Sequence, residues 1–174
     1  NFAAWPSRHL CFGPDMRLLA PQSGAMGYGL PAAIAASLAE PGRTVLCFAG
    51  DGDFQMTCQE LATAAQHGAT PLILILDNGI YGTIRAHQER QFPARVFGTT
   101  MVNPDFTALA HAYGLHAEKA DTTAAFATAF DRALVATKAG TGAVVTLAIA
   151  AEAIAPRQRI STLRQAALAA QAKT

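Results

Sequence analysis

The sequence predicts one α/β domain over residues 1–174, with a doubly wound, mainly parallel sheet and helices on both faces. Three strongly apolar runs support this fold class: Val45–Ala49, Leu72–Leu76 and Ala143–Ile149. Runs without polar alternation are typical of strands that are buried on both faces, as in parallel sheets. Helical patterns separate the runs, and a helix is the usual connection between two parallel strands.

Helices and weaker strands fill the segments between the apolar runs. Met16–Ala20 is predicted as a short strand and His116–Lys119 as an edge strand. Pro41-Gly42 and Gly68 are typical helix ends, because proline cannot continue a helix and glycine accepts a left-handed backbone. The predicted helices are Leu30–Ala39, Met56–Gln66, Tyr81–Glu89, a segment from Asn103-Pro104-Asp105 to about Tyr113, Thr122–Lys138 and Ile160–Ala172.

The charge composition argues against two classes of function. The formal net charge is +1, from 13 Lys and Arg against 12 Asp and Glu, so no basic surface for nucleic acid is expected. Arg157, Arg159 and Arg164 are interpreted as solvating a terminal helix. No apolar stretch is long enough to cross a bilayer, and no signal-peptide pattern is present. Only 14% of the residues are charged, which indicates either surface buried against a partner or an Ala-rich helical domain.

Cysteine usage predicts a reducing compartment. Cys11, Cys47 and Cys58 are odd in number, and no pair has the spacing of a metal site or a redox motif. Cys47 lies within an apolar run and is interpreted as a small core residue. A cytoplasmic location is therefore expected.

Two polar segments follow two of the apolar runs directly, and they are the candidate binding site. They are Gly50-Asp51-Gly52-Asp53-Phe54 and Asp77-Asn78-Gly79-Ile80-Tyr81-Gly82, both interpreted as loops. Ligands of open α/β sheets bind beyond the carboxyl ends of the strands, so both loops would face one crevice if their strands are neighbours. A carboxylate, an amide oxygen, a backbone carbonyl and phosphate oxygens form a suitable Mg²⁺ shell. Taken singly, each segment can also be interpreted as an ordinary turn, because Asp, Asn and Gly are common turn residues.

The combined pattern resembles a known cofactor motif. Gly50-Asp51-Gly52, followed after 25 residues by Asn78, is similar to the motif of thiamine diphosphate enzymes. Ser23–Ile34 and Asp53-Phe54-Gln55-Met56 resemble the acetolactate synthase-like and 2-oxo acid decarboxylase family. The chain therefore resembles the C-terminal, diphosphate-binding domain of this family. The resemblance implies the same doubly wound α/β fold that the apolar runs predict.

The resemblance implies roles for individual residues. The Asp51 carboxylate, the Asn78 side chain and the Ile80 carbonyl would ligate Mg²⁺. Met26 would support the bent conformation of the cofactor, whereas the alternative for Met26 is core packing. The implied cofactor-binding residues are Gly24, Met26, Gly50, Gly52, Asp53, Phe54, Ile80 and Tyr81.

Weaker candidates lie outside this motif. Asn1 and Phe2 resemble the start of another loop that contacts the diphosphate. His87 and Gln88 lie on the helix after Asn78, where the family places substrate contacts, although a helical histidine is more often solvated or packed. Glu60 belongs to the family pattern. The alternative interpretation is that Glu60 lies on the surface or in the first turn of a helix.

The resemblance also implies parts that this chain does not contain. The family's activating glutamate belongs to an N-terminal pyrimidine-binding domain, of the same or another chain, and a homodimer or homotetramer is expected. FAD, which some relatives carry, would belong to a middle domain. The chain starts at Asn1 without a methionine, so we expect a piece cut from a longer polypeptide rather than the small subunit of a split enzyme. The isolated chain is expected to be inactive.

Several functions fit the resemblance. The family decarboxylates a 2-oxo acid and in some members ligates the product to a second carbonyl, as a transferase or a lyase. Ala86-His87-Gln88 stands where acetolactate synthases usually carry Gln-Trp-Gln, which favours a decarboxylase of the benzoylformate or indolepyruvate type as the alternative. More distant readings are a non-catalytic scaffold and a dinucleotide-binding module, since Gly24, Gly27 and Gly29 precede a helix. Their order is G-x-x-G-x-G, which departs from the dinucleotide fingerprint.

Overall fold

Four parallel strands form the central sheet of the computed structural model, which describes residues 2–173. In chain order they are β1 (Leu46–Gly50), β2 (Leu72–Asp77), β3 (His116–Ala120) and β4 (Ala143–Ala148). Their spatial order is β1-β2-β4-β3, with every pairing parallel. The three apolar runs are thus strands, β3 is the predicted edge strand, and the α/β fold class is confirmed.

Eight α-helices accompany the sheet among the described residues. They are α1 (Ala4–His9), α2 (Gly29–Ala39), α3 (Asp51–Gln55), α4 (Leu61–His67), α5 (Gly82–Gln91), α6 (Phe106–Ala112), α7 (Thr123–Lys138) and α8 (Ile160–Gln171). A short hairpin, β5 (Ala153–Ala155) with β6 (Gln158–Arg159), precedes α8. None of these helices is long and apolar enough to cross a membrane.

The sheet buries both of its faces. Ile73 and Ile75 of β2 lie in a cluster with residues of α2, α4 and α6, whereas Leu72 and Leu74 lie in a second cluster with residues of α7. Successive side chains of a strand point to opposite faces, so a strand covered on both sides must be apolar throughout. This burial explains why β2 lacks polar alternation.

Local sequence signals set the ends of several helices. Gly68 ends α4 in a left-handed conformation with φ of 67°. Asp105 caps α6, because its Oδ1 accepts hydrogen bonds from the backbone N–H of Thr107 at 2.9 Å and of Ala108 at 3.0 Å. These backbone groups have no partner within the helix, and the aspartate satisfies them.

Three predictions away from the candidate site are wrong, two about secondary structure and one about a side chain. Met16–Ala20 is not a strand; it lies exposed, and no described segment pairs with it. The helix predicted over Met56–Gln66 is interrupted, because Thr57 has non-helical φ and ψ of −140° and 18° and donates its hydroxyl to the Gly27 carbonyl at 3.0 Å. A 3₁₀ turn over Cys58–Glu60 leads instead into α4. Arg164 does not merely solvate its helix, because it pairs with a buried glutamate.

The interpretation of Cys47 as a core residue is confirmed. Its side chain is buried against α2, and burial together with nearby Asp53 raises the pKa of the thiol to about 12. A thiol held in this protonated state is a poor nucleophile and a poor metal ligand. Cys11, Cys47 and Cys58 all have free thiols.

Candidate functional site

The two polar segments meet at one edge of the sheet, because β1 and β2 are neighbours. Gly50 pairs with Leu76, so Asp51 and Asp77 lie side by side at the carboxyl ends of their strands. The first segment is not a loop as predicted, since α3 begins directly at Asp51. Gly50 is extended, with φ of −75° and ψ of 158°, and the acidic residues that follow it favour a helix amino terminus.

Asp51 is the best-held polar side chain of this edge. It is 3% exposed, and its Oδ1 accepts the N–H of Gly52 at 3.0 Å. Its Oδ2 accepts the N–H of Gly79 at 2.7 Å and the amide of Asn103 at 2.8 Å. Burial raises the pKa of this carboxyl and the nearby Asp77 adds to the rise, while the three hydrogen bonds act against it. The bond to Gly79 joins the first segment to the second.

The second segment is held in shape by its own turn and by the chain around residue 100. The Asn78 Oδ1 accepts the N–H of Ile80 at 3.1 Å, and Gly79 takes the positive φ of 67° that this turn requires. The Met101 N–H donates to the Gly79 carbonyl at 2.8 Å, and the Tyr81 N–H donates to a neighbouring carbonyl at 2.9 Å. The hydrogen bond from the Gly79 N–H to the Asp51 Oδ2 therefore connects the turn that contains Asn78 and Ile80 to Asp51.

The glycine-rich turn before α2 is tied to α3. The Gly27 N–H donates to the Asp53 Oδ1 at 2.7 Å, and Asp53 is itself buried. Burial raises the pKa of the Asp53 carboxyl, and this hydrogen bond lowers it. Gly27 has φ of 84°, and a Cβ there would lie 3.1 Å from the Cβ of Met56, so only glycine fits. No described strand precedes Gly24, which removes the strand–turn–helix context of a dinucleotide site.

Met26, Tyr81 and Phe54 differ in what they contact. Met26 is 44% exposed, so core packing is not its role in this chain. The Tyr81 ring covers the start of α3, because a Cβ on Gly52 would lie 2.6 Å from it. Phe54 is in the core, where its ring meets Phe106 edge to face at 5.5 Å, so only its backbone is available to a ligand.

The weaker candidates stay predictions, although their surroundings are now known. His87 is exposed on α5, whereas Gln88 exchanges two hydrogen bonds, at 2.8 and 3.0 Å, with the backbone of Phe97. Glu60 accepts the Thr63 hydroxyl at 2.7 Å. The Phe2 ring packs against Gly50, since a Cβ there would lie 2.7 Å from it. Asn1 lies outside the described residues.

Asn103 belongs to this edge of the sheet and was missed as a site residue. Its amide nitrogen donates to the Asp51 Oδ2 at 2.8 Å and to the Asp77 Oδ1 at 2.7 Å. Its carbonyl oxygen accepts from the Gln55 side chain at 2.9 Å. In the sequence, Asn103 before a proline indicates only the start of α6. No local pattern indicates contacts with residues some 50 positions away.

A cavity of about 450 Å³ adjoins the site and shares two of its residues. Its wall includes the Thr146 hydroxyl, which is buried and has no hydrogen-bond partner among residues 2–173. The cavity lies under the start of α6 at the carboxyl ends of β2, β3 and β4. Its lining residues are Asp77, Asn103, Pro104, Asp105, Phe106, Thr107, Lys119 and Thr146.

The donor set fits a divalent cation that is shared with a phosphate ligand. The described residues contain no cluster of three or more His, Cys, Asp or Glu side chains that could enclose a metal ion. Asp51 instead offers Oδ1, whose partner among residues 2–173 is the N–H of the next residue alone. Mg²⁺ is commonly bound through one or two carboxylates, with water and phosphate oxygens completing its shell. The amino terminus of α3, beside Asp51, supplies backbone N–H groups suited to an anion.

Comparison with known proteins gives acetolactate synthases as relatives. The chain is 40% identical over 116 residues to the acetolactate synthase isozyme 2 large subunit of Escherichia coli K12, covering 66% of this chain and 21% of the relative. It is 41% identical over 115 residues to the acetolactate synthase of Arthrospira platensis, covering 65% of this chain and 20% of the relative. The chain thus spans about a fifth of these proteins.

The similar solved structures are decarboxylases, one of them named as thiamine diphosphate-dependent. The thiamine diphosphate-dependent 4-hydroxybenzoylformate decarboxylase of Rhodococcus jostii RHA1 aligns with a TM-score of 0.68 at 34% identity, over 74% of this chain and 24% of that one. The benzoylformate decarboxylase of Polynucleobacter necessarius aligns with a TM-score of 0.68 at 29% identity, over 75% of this chain and 25% of that one.

The family assignment follows from the geometry and the comparisons together. Residues 1–149 match the family model described as "Thiamine pyrophosphate enzyme, C-terminal TPP binding domain". This match covers most of the chain and includes both polar segments, the glycine-rich turn and Asn103. The chain belongs to the family of C-terminal cofactor-binding domains of thiamine diphosphate enzymes.

Proposed function

We propose that this chain binds the diphosphate of thiamine diphosphate through Mg²⁺, as one domain of an enzyme that decarboxylates a 2-oxo acid and ligates the product to a second carbonyl. The carrying observation is the 2.7 Å hydrogen bond from the Gly79 N–H to the Asp51 Oδ2, which joins the two polar segments at one sheet edge. In this proposal, Asp51, Asn78 and the Ile80 carbonyl ligate the cation.

The chain's own residues would bind and orient the cofactor. Backbone N–H groups at the start of α3, those of Asp53 and Phe54, would face the diphosphate, since the Gly52 N–H already donates to Asp51, and Tyr81 would shield this end from water. The flexible, half-exposed Met26 supports the cofactor from the glycine-rich turn. When bound, thiamine diphosphate supplies the electron sink that allows a 2-oxo acid to lose carbon dioxide.

A second domain is needed to complete the site. Large apolar side chains are exposed around the glycine-rich turn and α3, namely Met26, Tyr28 and Met56. Exposed apolar groups of this kind are typical of surfaces that a partner covers. We propose that a pyrimidine-binding domain, from the same chain or from another copy in a dimer, covers them. This partner would exclude water from the reaction and bring the activating glutamate.

Decarboxylation without ligation is the second candidate. One observation favours it: His87, which is exposed on α5, stands in Ala86-His87-Gln88 where acetolactate synthases usually carry the tryptophan of Gln-Trp-Gln. The two solved relatives quoted above are decarboxylases of aryl 2-oxo acids. The full-length protein distinguishes the candidates when it is supplied with pyruvate or with benzoylformate. Acetolactate formed from pyruvate supports ligation, whereas benzaldehyde and carbon dioxide formed from benzoylformate, without a ligated product, support the alternative.

Cofactor binding can be tested on the chain itself by thermal unfolding. Thiamine diphosphate with Mg²⁺ at 100 times its dissociation constant stabilises a protein by about 2.7 kcal/mol. For a domain of this size, that stabilisation raises Tm by roughly 5–10 °C. Neither component alone should reach this shift, because the cation bridges protein and diphosphate.

Two variants and one other ligand make this test specific. Asp51→Asn keeps the shape of the side chain but removes its charge, so the shift should be lost. Asp131→Ala removes an exposed aspartate of α7 and should retain the shift. NAD should leave Tm unchanged, as expected if this is not a dinucleotide module. Equal shifts in wild type and Asp51→Asn would refute the proposed metal site. We also expect no turnover of pyruvate or benzoylformate by the chain alone.

A further inference from the structure

We propose that Asn103 is a positioning residue that orients the Asp51 carboxylate for the cation of the cofactor, an inference that rests on the proposed function. Asn103 links three segments that are distant in sequence, through Asp51, Gln55 and Asp77. Asn103 lies two residues after Met101, whose N–H donates to the Gly79 carbonyl. None of its contacts requires a bound cofactor.

The chemistry of the contacts explains why an amide is needed. Carboxylates accept hydrogen bonds but donate none, so a donor between the side chains of Asp51 and Asp77 reduces the repulsion between them. The amide of Asn103 has two N–H groups, and it gives one to each carboxylate, at 2.8 and 2.7 Å. The Gln55 amide donates to the remaining oxygen at 2.9 Å, which fixes the direction of the Asn103 side chain.

The hydrogen bonds divide the two oxygens of Asp51 into different roles. Oδ2 accepts two strong donors, from Gly79 and Asn103, and its capacity is used. Among the described residues, Oδ1 accepts only the N–H of Gly52, at 3.0 Å. The spare electron pair for a cation therefore belongs to Oδ1, and its direction depends on how firmly Oδ2 is held. Asn103 supplies one of the two contacts that hold it.

Removal of Asn103 should weaken cation binding while leaving the fold in place. Residues that orient a metal ligand without touching the metal typically change metal affinity 10–100-fold when they are mutated. The probe is Mn²⁺, which accepts the same oxygen ligands as Mg²⁺ and is visible by electron paramagnetic resonance. Binding is measured on the 174-residue chain with thiamine diphosphate in excess, and the fold is monitored by circular dichroism.

The variants compare the loss of the Asn103 hydrogen bond to Asp51 with a change at a nearby residue that makes no such bond. Asn103→Leu keeps the side-chain size and removes both donors, and Asn103→Ser is a smaller polar alternative. Thr146→Val is the matched control, because Thr146 lines the same cavity but makes no hydrogen bond to Asp51. Both Asn103 variants should bind Mn²⁺ 10–100-fold more weakly, with altered spectra of the bound ion, whereas the control should bind as wild type does.

The outcomes separate this inference from the proposed function. A wild type that binds no Mn²⁺ with thiamine diphosphate overturns both. A wild type that binds, with Asn103 variants of equal affinity and spectrum, overturns the positioning role alone. An equal loss in the Thr146→Val control also overturns it, since the effect would then be structural.

A measurement on the wild type covers the case in which the Asn103 variants do not fold. The sequence has only three asparagines, Asn1, Asn78 and Asn103, so selective ¹⁵N-asparagine labelling gives three side-chain amide signals. Addition of Mg²⁺ and thiamine diphosphate should shift the signals of both Asn78 and Asn103. An Asn103 signal that stays unchanged while that of Asn78 shifts overturns the positioning role.

Discussion

Replacing Arg164 by alanine should destabilise this domain more than any ordinary surface substitution. Glu89 of α5 has a side chain that is 0% exposed, and its carboxylate is paired with Arg164 of α8. The Arg164 Nε lies 3.0 Å from both carboxylate oxygens, and Nη2 also donates to Oε1. Within the part of the chain that the structure describes, the one other donor to this carboxylate is the Ala94 N–H at 2.9 Å. Without Arg164, a buried charge is left with one hydrogen bond.

The magnitude follows from what remains buried. Removing one partner of a fully buried ion pair costs about 3–5 kcal/mol. Arg164 is 38% exposed, so water can partly replace it, and we expect a loss of about 2–3 kcal/mol. For a domain of this size, that loss lowers Tm by roughly 4–12 °C. Apolar packing between α5 and α8 should keep the variant folded, since Ala86, Ile160 and Leu163 form a small core there.

The pH dependence has a defined sign. Hydrogen bonding to Arg164 holds the pKa of Glu89 below its ordinary value of 4.5, against the opposing effect of burial. The pair therefore stabilises the fold fully above about pH 4.5, and this contribution is lost as the pH falls through the lowered pKa. Wild type and Arg164→Ala should differ most near neutral pH. The difference should shrink in acid, where Glu89 is protonated in both proteins.

Urea unfolding followed by circular dichroism, at pH 7 and in acid, measures both effects. Arg132→Ala is the matched control, because it also removes an arginine from a glutamate, Glu118, but Arg132 is 56% exposed. An exposed pair contributes about 0–1 kcal/mol, so this control should lose little. Our reasoning is refuted if Arg164→Ala loses no more than Arg132→Ala at pH 7. It is also refuted if the loss persists unchanged in acid.

Three further substitutions test packing and capping, each by thermal unfolding. Gly52→Ala should destabilise by about 1–3 kcal/mol, because its Cβ would lie 2.6 Å from the Tyr81 ring, whereas Gly13→Ala, with open space around it, should be neutral. Thr146→Val should stabilise by about 1–2 kcal/mol, since it removes a buried hydroxyl without a partner among the described residues; a lower Tm would indicate an unseen hydrogen bond. Asp105→Ala should cost about 1 kcal/mol by removing the cap of α6, and an unchanged Tm would contradict that role.

Some of the site was predictable because the motif is local. Asp51 and Asn78 each follow a buried apolar run, and parallel strands place the ends of such runs at one edge of the sheet. The resemblance added the spacing between them and the glycine-rich turn. The exposure of Met26 and the burial of Phe54 needed the structure, because both are apolar and the pattern alone does not tell which is in the core.

The sequence pattern gave the wrong secondary structure at two places, where the outcome depends on residues that are distant in the chain. Met16–Ala20 has the composition of a strand but no described neighbour to pair with, so no strand forms. Thr57 leaves the helical region because its hydroxyl bonds to Gly27, 30 residues earlier. A strand or a continuous helix needs suitable partners as well as suitable residues.

The sequence by itself determined the alternation of buried strands and helices, the parallel sheet and the family to which the chain belongs. These properties depend on apolar periodicity and on short motifs, which neighbouring residues carry. Only the tertiary structure decided that Asn103 joins Asp51 across 52 residues and that Arg164 joins Glu89 across 75. Such polar contacts are specified by where packing places two side chains in space, and nothing in the residues beside them records the partner.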